Sequence, residues 1–415
     1  MELHEDLFRH EAGRMTAALT RLFGMQNLAL AEDVVQDAFC RALELWPRRG
    51  VPPNPAAWLM TTARNRALDV IRQQRTASTF APEIARLLDS EWTAAALVDE
   101  AFTPALIRDE LLRMIFACCH PDLPESAQIA LVLNILCGFG APEIAAAFLE
   151  RRSAIEKRIT RGKKVLASTS RLTDLRAGDL APRLAAVHRT LYLLFNEGYH
   201  GSSSRGVVRA QLCEEAIRLV TLLGEHEATA VPATFALGAL MLLHAARLPA
   251  RLDAAGDLIA LWDQDRQRWD RDRIAQGRAL LDRSASGTAL SSYHVEAAIA
   301  AVHVGAASVA ATDWRAIVEL YDQLMVIAPS PVVALNRAVS LAERDGPPAG
   351  IAALQELDGD DRLAAYPFFP AARGELESRL GRTEAAARYF EEALRLARND
   401  GERRFLERKL ERLRS

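Results

Sequence analysis

Between Phe139 and Leu166 two helix-period segments flank one short polar turn, a pattern of moderate specificity. Phe139-Gly140-Ala141-Pro142-Glu143-Ile144-Ala145-Ala146-Ala147-Phe148 starts as a helix with proline in its first turn. Leu149 to Arg152 is the turn. Ser153-Ala154-Ile155-Glu156 then has the spacing of a capping box, in which hydroxyl and carboxylate satisfy each other's free N–H groups. The helix continues through Lys157, Arg158, Ile159, Arg161, Lys163 and Lys164 to Leu166. Lys157, Arg161 and Lys164 share one face by i, i+4, i+7 spacing, while Ile155, Ile159 and Leu166 look inward. Helix, turn and basic second helix predict a helix-turn-helix, whose second helix enters the major groove. A basic surface helix of a bundle has a similar pattern. Gly162 costs the helix about 1 kcal/mol relative to alanine, which counts against it. Glu156 reads either as the cap or as an acceptor for a cytosine amino group, and the Ser153 spacing favours the cap.

Charge is segregated along the chain. Arg41–Arg75 carries seven arginines against Glu44 and Asp69, and Arg151–Arg176 nine bases against Glu156 and Asp174. The stretch between them, Ala77–Glu150, has three arginines against eleven acids. Two basic blocks around an acidic one fit two contacts on a polyanion joined by a tether that avoids it. Ordinary solvated helix faces would give the same count, so sequence pattern has to decide.

In the first block, Ala31–Leu43 reads as an amphipathic helix. Val34, Val35, Ala38, Ala42 and Leu43 form its apolar stripe, and Glu32, Asp33, Gln36 and Asp37 an acidic face. Trp46-Pro47 ends it, and Arg48 to Pro55, with prolines at 52, 53 and 55, is a stiff loop. A second helix runs from about Pro55 to Arg75. Its apolar positions Trp58, Leu59, Ala63, Leu68 and Ile71 leave Arg64, Asn65, Asp69, Arg72 and Arg75 for other surfaces, a set equipped to hold phosphates and read a base edge.

Asp33-Val34-Val35-Gln36-Asp37-Ala38-Phe39, the run Trp58 to Asp69, and Glu143-Ile144-Ala145 followed by Ser153 to Leu166 resemble bacterial sigma factors of the extracytoplasmic-function class. Leu193-Leu194-Phe195-Asn196-Glu197-Gly198-Tyr199 and Pro329 to Val339 are similar to the long subgroup, which carries a C-terminal tetratricopeptide-like extension. The resemblance implies a non-enzymatic initiation factor with core RNA polymerase and promoter DNA as partners. It implies that Asp33, Gln36, Asp37 and Phe39 dock on the polymerase. Arg64, Asn65, Asp69, Arg72 and Arg75 would face the minus-ten element, where an unstacked base is trapped, helped by the loop Arg48 to Pro55. Asp69 either contacts DNA or pairs with Arg66 or Arg72 and orients them. Ser153, Lys157, Arg158, Arg161 and Lys164 would bind the minus-thirty-five element as duplex. Ala154 and Glu156 depart from the Thr and basic residue often found there, so base preference does not carry over.

The expected fold is all-α. Region 2 covers 1–76, an acidic linker 77–104, the region 4 helix-turn-helix 105–171 and a helical, tetratricopeptide-like extension 172–415. Ala316, Leu320 and Gln323 recur as Ile351, Gln355 and Asp358 and as Ala386, Phe390 and Ala393, offsets of 35 residues (351 − 316 and 386 − 351) near that repeat's period. Gly346 and Gly381 mark the same turn in two units. Such stacked helix pairs offer a concave surface to a protein or peptide partner.

Aromatic residues are only 6% of the chain, against recurrent alanine runs, which favours helices over sheets. The acidic start Met1-Glu2-Leu3-His4-Glu5-Asp6 lacks the pattern of a secretory leader. The longest apolar stretch, Ile129 to Phe148, is broken by Asn134 and Glu143, so a soluble, cytoplasmic chain without membrane contact is expected. The five scattered thiols Cys40, Cys118, Cys119, Cys137 and Cys213 suit a reducing compartment. Cys118-Cys119-His120 places adjacent helical residues about 100° apart, poor geometry for one ion, so neither metal nor cofactor is expected. The glycine- and serine-rich Asn196 to Arg205 lacks phosphate-loop spacing. Trp262 to Asp270 reads as a helix that combines aromatic and acidic residues, with packing of Trp262 and Trp269 favoured over ligand capture. A stand-alone helix-turn-helix regulator with a sensor domain is the alternative. It leaves the acidic-faced helix and Trp58 to Arg75 without a task.

Overall fold

The computed structural model describes residues 2–76, 104–120, 122–148, 150–168, 177–200, 210–253, 257–397 and 400–414. The acidic linker, up to residue 103, lies outside them. The described residues are α-helical without a strand, as expected; one isolated bridge joins Leu252 and Leu258. The chain divides into two compact units, Met1–Leu193 and Leu194–Ser415.

In the first unit α1 (Glu2–Phe23), α2 (Leu28–Arg49) and α3 (Pro55–Thr76) share one core. Leu59, Ala63, Ala67 and Val70 of α3, spaced at three and four residues, lie against Val34, Val35, Ala38 and Ala42 of α2. An aromatic group locks the three helices: the Phe8 and Phe39 ring centroids are 4.7 Å apart, Phe8 and Trp46 5.6 Å, and Trp46 and Trp58 5.5 Å. Two expectations fail here. Helix α2 does not end at Trp46-Pro47 but runs on through Arg49, so the loop shortens to the residues around Val51–Asn54. A proline near the last turn removes one intrahelical bond where few remain to be lost. Leu43, placed on the apolar stripe, is 60% exposed, because it lies about 100° around the helix from buried Ala42.

The second helical group comprises α4 (Pro104–Cys118), α5 (Glu125–Leu131, widening into a π turn at Val132–Leu136), α6 (Ala141–Phe148) and α7 (Arg152–Ser168). It packs on α1 within the same unit. The approach is close: a Cβ on Gly13 would stand 2.3 Å from the Leu136 carbonyl oxygen. Two long-range ion pairs border this packing, Arg21 with Glu110 at 3.3 Å and Lys163 with Glu32 at 2.6 Å. Gln128 on α5 donates to the carbonyls of His120 and Leu123 and accepts from the Thr190 hydroxyl at 3.0 Å. That network fixes α8 (Ala177–His200) on the group through its middle turns.

The second unit begins inside α8 and continues with α9 (Ala210–Glu225) and α10 (Pro232–Ala245). The stretch Pro232–Ala250 is long and apolar enough by length and composition to cross a membrane, and it displaces Ile129 to Phe148 as the most apolar segment. It is 78% buried, as the core of this unit must be, under α9, α11 (Arg271–Ser284) and α12 (Ser292–Gly305). Three helix pairs follow: α13 (Trp314–Ile327) with α14 (Pro331–Asp345), α15 (Pro347–Gln355) with α16 (Phe368–Arg379), and α17 (Thr383–Leu396) with α18 (Asp400–Arg414). Gly346 and Gly381, at φ 95° and 72°, make the equivalent turn into α15 and α17, a left-handed backbone that glycine adopts without penalty. The repeat register differs from the sequence alignment. Ala386, Phe390 and Ala393 are buried as expected, but in the earlier pairs the buried positions are Ile317 and Leu324, then Gly350 and Leu354.

Segment 262–270 is not a helix. It forms two short 3-10 turns, Leu261–Asp263 and Arg266–Arg268, with Trp269 buried and Trp262 at 36% exposure. Asp270 caps α11, accepting from the Arg273 N–H, which takes it out of the segment's exposed acids.

Candidate nucleic-acid interface

Helix α7 presents its expected inner face, with Ile155, Ile159 and Leu166 buried. Gly162, a weakness in the sequence, has a packing reason: a Cβ there would lie 2.7 Å from Leu131 Cδ1 on α5. Lys157, Arg161 and Lys164 are all exposed along the opposite face. The capping box does not form. The helix starts at Arg152, so Ser153 sits inside the first turn, and the Arg151 carbonyl accepts from Ala154. The Glu156 carboxylate instead accepts from Arg152 Nε at 2.7 Å. One half of such a box forms one helix earlier, where the Glu143 carboxylate accepts from the Gly140 N–H at 2.8 Å.

The first turn of α7 carries no acid, and Arg151 and Arg152 beside it are exposed. Cations at a helix N-terminus oppose the helix dipole, whereas a phosphate there is favoured by both dipole and charge. Arg158 is occupied otherwise. Its guanidinium makes a two-pronged ion pair with Glu150, at 2.8 and 2.7 Å, which braces the turn between α6 and α7. Lys163, also basic in the sequence, turns towards Glu32 of α2.

On α3, Asn65 and Asp69 are exposed and Arg64 is half-buried. The side chains of Arg72 and Arg75 lie outside the described residues. Arg66 pairs with Asp37 of α2, Nε to Oδ2 at 2.8 Å, so Asp37 links the two helices. On α2, Asp33 and Gln36 stand free on the outer surface beside exposed Cys40 and Leu43. Phe39, grouped with them in the sequence, faces the other way and stacks on Phe8 in the core. The structure thus brings Asp33 and Gln36 together on one helix, Asn65 and Asp69 on the next, and Lys157, Arg161 and Lys164 on a third. Exposed Leu43 and the long-range partner Glu32 escaped sequence reasoning; only the amphipathic angle of Leu43 could have signalled the first.

Cys118 and Cys119 are buried in α4 and its C-terminal turn, and burial pushes the Cys119 thiol up to about 12. Among the described residues no group of three metal-ligating side chains occurs.

Residues 7–77 match sigma-70 region 2, and residues 183–285 match a family of unknown function (DUF6596). The chain is 41% identical over 399 residues to an uncharacterized protein of Rhizobium meliloti (strain 1021), covering 95% of this chain and 92% of that one. It is 34% identical over 145 residues to the RNA polymerase sigma factor CarQ of Myxococcus xanthus, covering 34% of this chain and 74% of that protein. No solved structure matches it.

Proposed function

Because the chain belongs to the sigma-70 family of RNA polymerase sigma factors, we propose that it directs core RNA polymerase to promoters by using the three surfaces described above. The outer face of α2, with Asp33 and Gln36, docks on the polymerase. Asn65 and Asp69 of α3, with Arg64, Arg72 and Arg75, meet the minus-ten element, where a base leaves the stack and needs a polar pocket. The exposed face of α7, with Lys157, Arg161 and Lys164, holds the minus-thirty-five duplex; Ser153 in its first turn lies where a groove-inserted helix meets a strand. The observation that carries this reading is the separation of charge. Acidic and amide groups on α2 and a cationic stripe on α7 are both exposed in one unit.

We place the chain in the extracytoplasmic-function class, in the cytoplasm, as an initiation factor without catalytic chemistry. The three C-terminal helix pairs are read as tetratricopeptide-like, a scaffold through which a protein or peptide partner regulates the front of the chain. Arg158 and Phe39 are withdrawn from the contact sets, since Glu150 and Phe8 occupy them.

Core-polymerase capture tests the docking surface. Wild-type protein should be retained by immobilised core enzyme, and Asp33→Arg combined with Gln36→Ala should reduce retention at least tenfold while leaving the far-ultraviolet circular dichroism unchanged. Failure of the wild-type protein to bind would favour a free-standing helix-turn-helix regulator.

A further inference from the structure

Two stretches that promoter recognition leaves unused, around Tyr199 and around Trp269, meet in the second unit. Between them lies the turn that follows α10, carrying Arg247 and Arg251. Arg247 is only 7% exposed, and its Nε is buried without a hydrogen-bond partner. The Nε of Arg251 and the indole N–H of Trp269 are buried in the same condition. The Arg251 guanidinium lies 4.0 Å from the Tyr199 ring centroid, and that of Arg247 lies 5.9 Å from the Trp269 centroid.

Arg266 shows what a settled arginine looks like in this environment. It sits 4.9 Å from the Trp269 centroid and donates to the carbonyls of His303 and Ala306, each at 2.8 Å. Arg247 has no such arrangement. The titratable groups that act on it are Tyr199, Arg251 and Tyr321, none of them a carboxylate. Burial first, and then Arg251, lower its affinity for the proton. His303 nearby is lowered to about 3 by burial and by Arg247 and Arg266, so its ring is neutral. Glu197 and Asp253 are the carboxylates close in sequence to Tyr199 and Arg251, and neither is among the groups that act on Arg247; residues 201–209 and 254–256 contain neither Asp nor Glu.

A buried guanidinium facing aromatic rings and a second guanidinium lacks the counter-charge that makes such burial tolerable. Cation–π contact offsets part of that cost and leaves the N–H donors unsatisfied. The geometry points to a binding site at Arg247 and Arg251, walled by Tyr199 and Trp269, for a small molecule that carries a carboxylate or phosphate group. Planar guanidinium forks suit either oxyanion bidentately. The depth of Arg247 rules out a nucleic-acid backbone or a folded protein surface as the occupant. This site belongs to the second unit and stands whether or not the promoter reading holds.

Thermal unfolding of the full-length protein, followed by Trp fluorescence, tests it with two probes, inorganic phosphate and succinate. Ionic strength is held constant with chloride. One probe or both should raise Tm in a saturable way that follows RT ln(1 + [L]/Kd). Arg247→Met should abolish the shift, and Arg251→Gln should raise the apparent Kd at least tenfold. The triple variant Lys157→Ala, Arg161→Ala, Lys164→Ala should keep it, which separates this site from phosphate held by α7. Phosphate alone active identifies a phosphorylated ligand, and succinate alone a carboxylate. No saturable shift with either probe overturns the proposal, as does an Arg247→Met variant that responds like wild type. Should Arg247→Met fail to fold, the wild-type titration and Arg251→Gln decide on the same terms.

Discussion

Alanine at Lys157, Arg161 and Lys164 together lowers affinity for duplex promoter DNA roughly 100-fold, as three contacts of about 1 kcal/mol each would. The same variant flattens the dependence of log K on log salt by about three, one for each neutralised phosphate; Arg161→Ala alone flattens it by about one. All three side chains are exposed and none supports the inner face of α7, so the helix should stay folded. Arg158→Ala makes the contrast. Its charge is spent on Glu150, so it should leave the salt slope almost unchanged and lower Tm instead. Filter binding or fluorescence anisotropy at several salt concentrations reads both effects. A triple variant with the wild-type slope would show that this face does not touch phosphate.

The second large effect is structural. Gly13→Ala puts a methyl group 2.3 Å from the Leu136 carbonyl oxygen, a backbone atom held in the π turn and unable to swing aside. Overpacking of this kind costs about 1–3 kcal/mol, which for a unit of this size lowers Tm by roughly 2–12 °C. Gly162→Ala also meets a close neighbour, but the obstructing atom is the end of the Leu131 side chain, and alanine recovers helix propensity of about 1 kcal/mol. The drop in Tm should therefore be larger for Gly13→Ala than for Gly162→Ala. Equal drops would mean that α1 and the π turn are not packed this closely in solution.

Much of this architecture could be read from apolar spacing. The inner faces of α3 and α7 depend on positions three and four residues apart, a periodicity written locally in the chain. What could not be read depends on partners far away. Asp37 and Phe39 belong to one short motif but point to opposite sides of α2, and their partners, Arg66 and Phe8, come from other helices. Spacing separates Lys164, on the face of Lys157 and Arg161, from Lys163, but the partner of Lys163, Glu32, is 131 residues away and has no local signal. The capping box at Ser153 was a sound local signal. It lost to a start two residues earlier, where Arg152 could engage Glu156 and Arg158 could brace Glu150. The 35-residue alignment missed the buried positions of the first two pairs by one residue, with Ala316 taken for Ile317 and Ile351 for Gly350, because small or apolar neighbours flank each. Convergence of Tyr199, Arg247, Arg251 and Trp269 had no signature in the sequence at all, because three separate segments supply them.

Multi-template in vitro transcription with purified core polymerase is the most direct examination of initiation by this chain. Genomic promoter fragments would serve as templates. The full-length protein should produce transcripts with defined start sites from a subset of fragments, and Asp33→Arg with Gln36→Ala should lose them. Core enzyme that yields no specific transcript with this protein, while a known sigma factor in the same reaction does, would contradict the account.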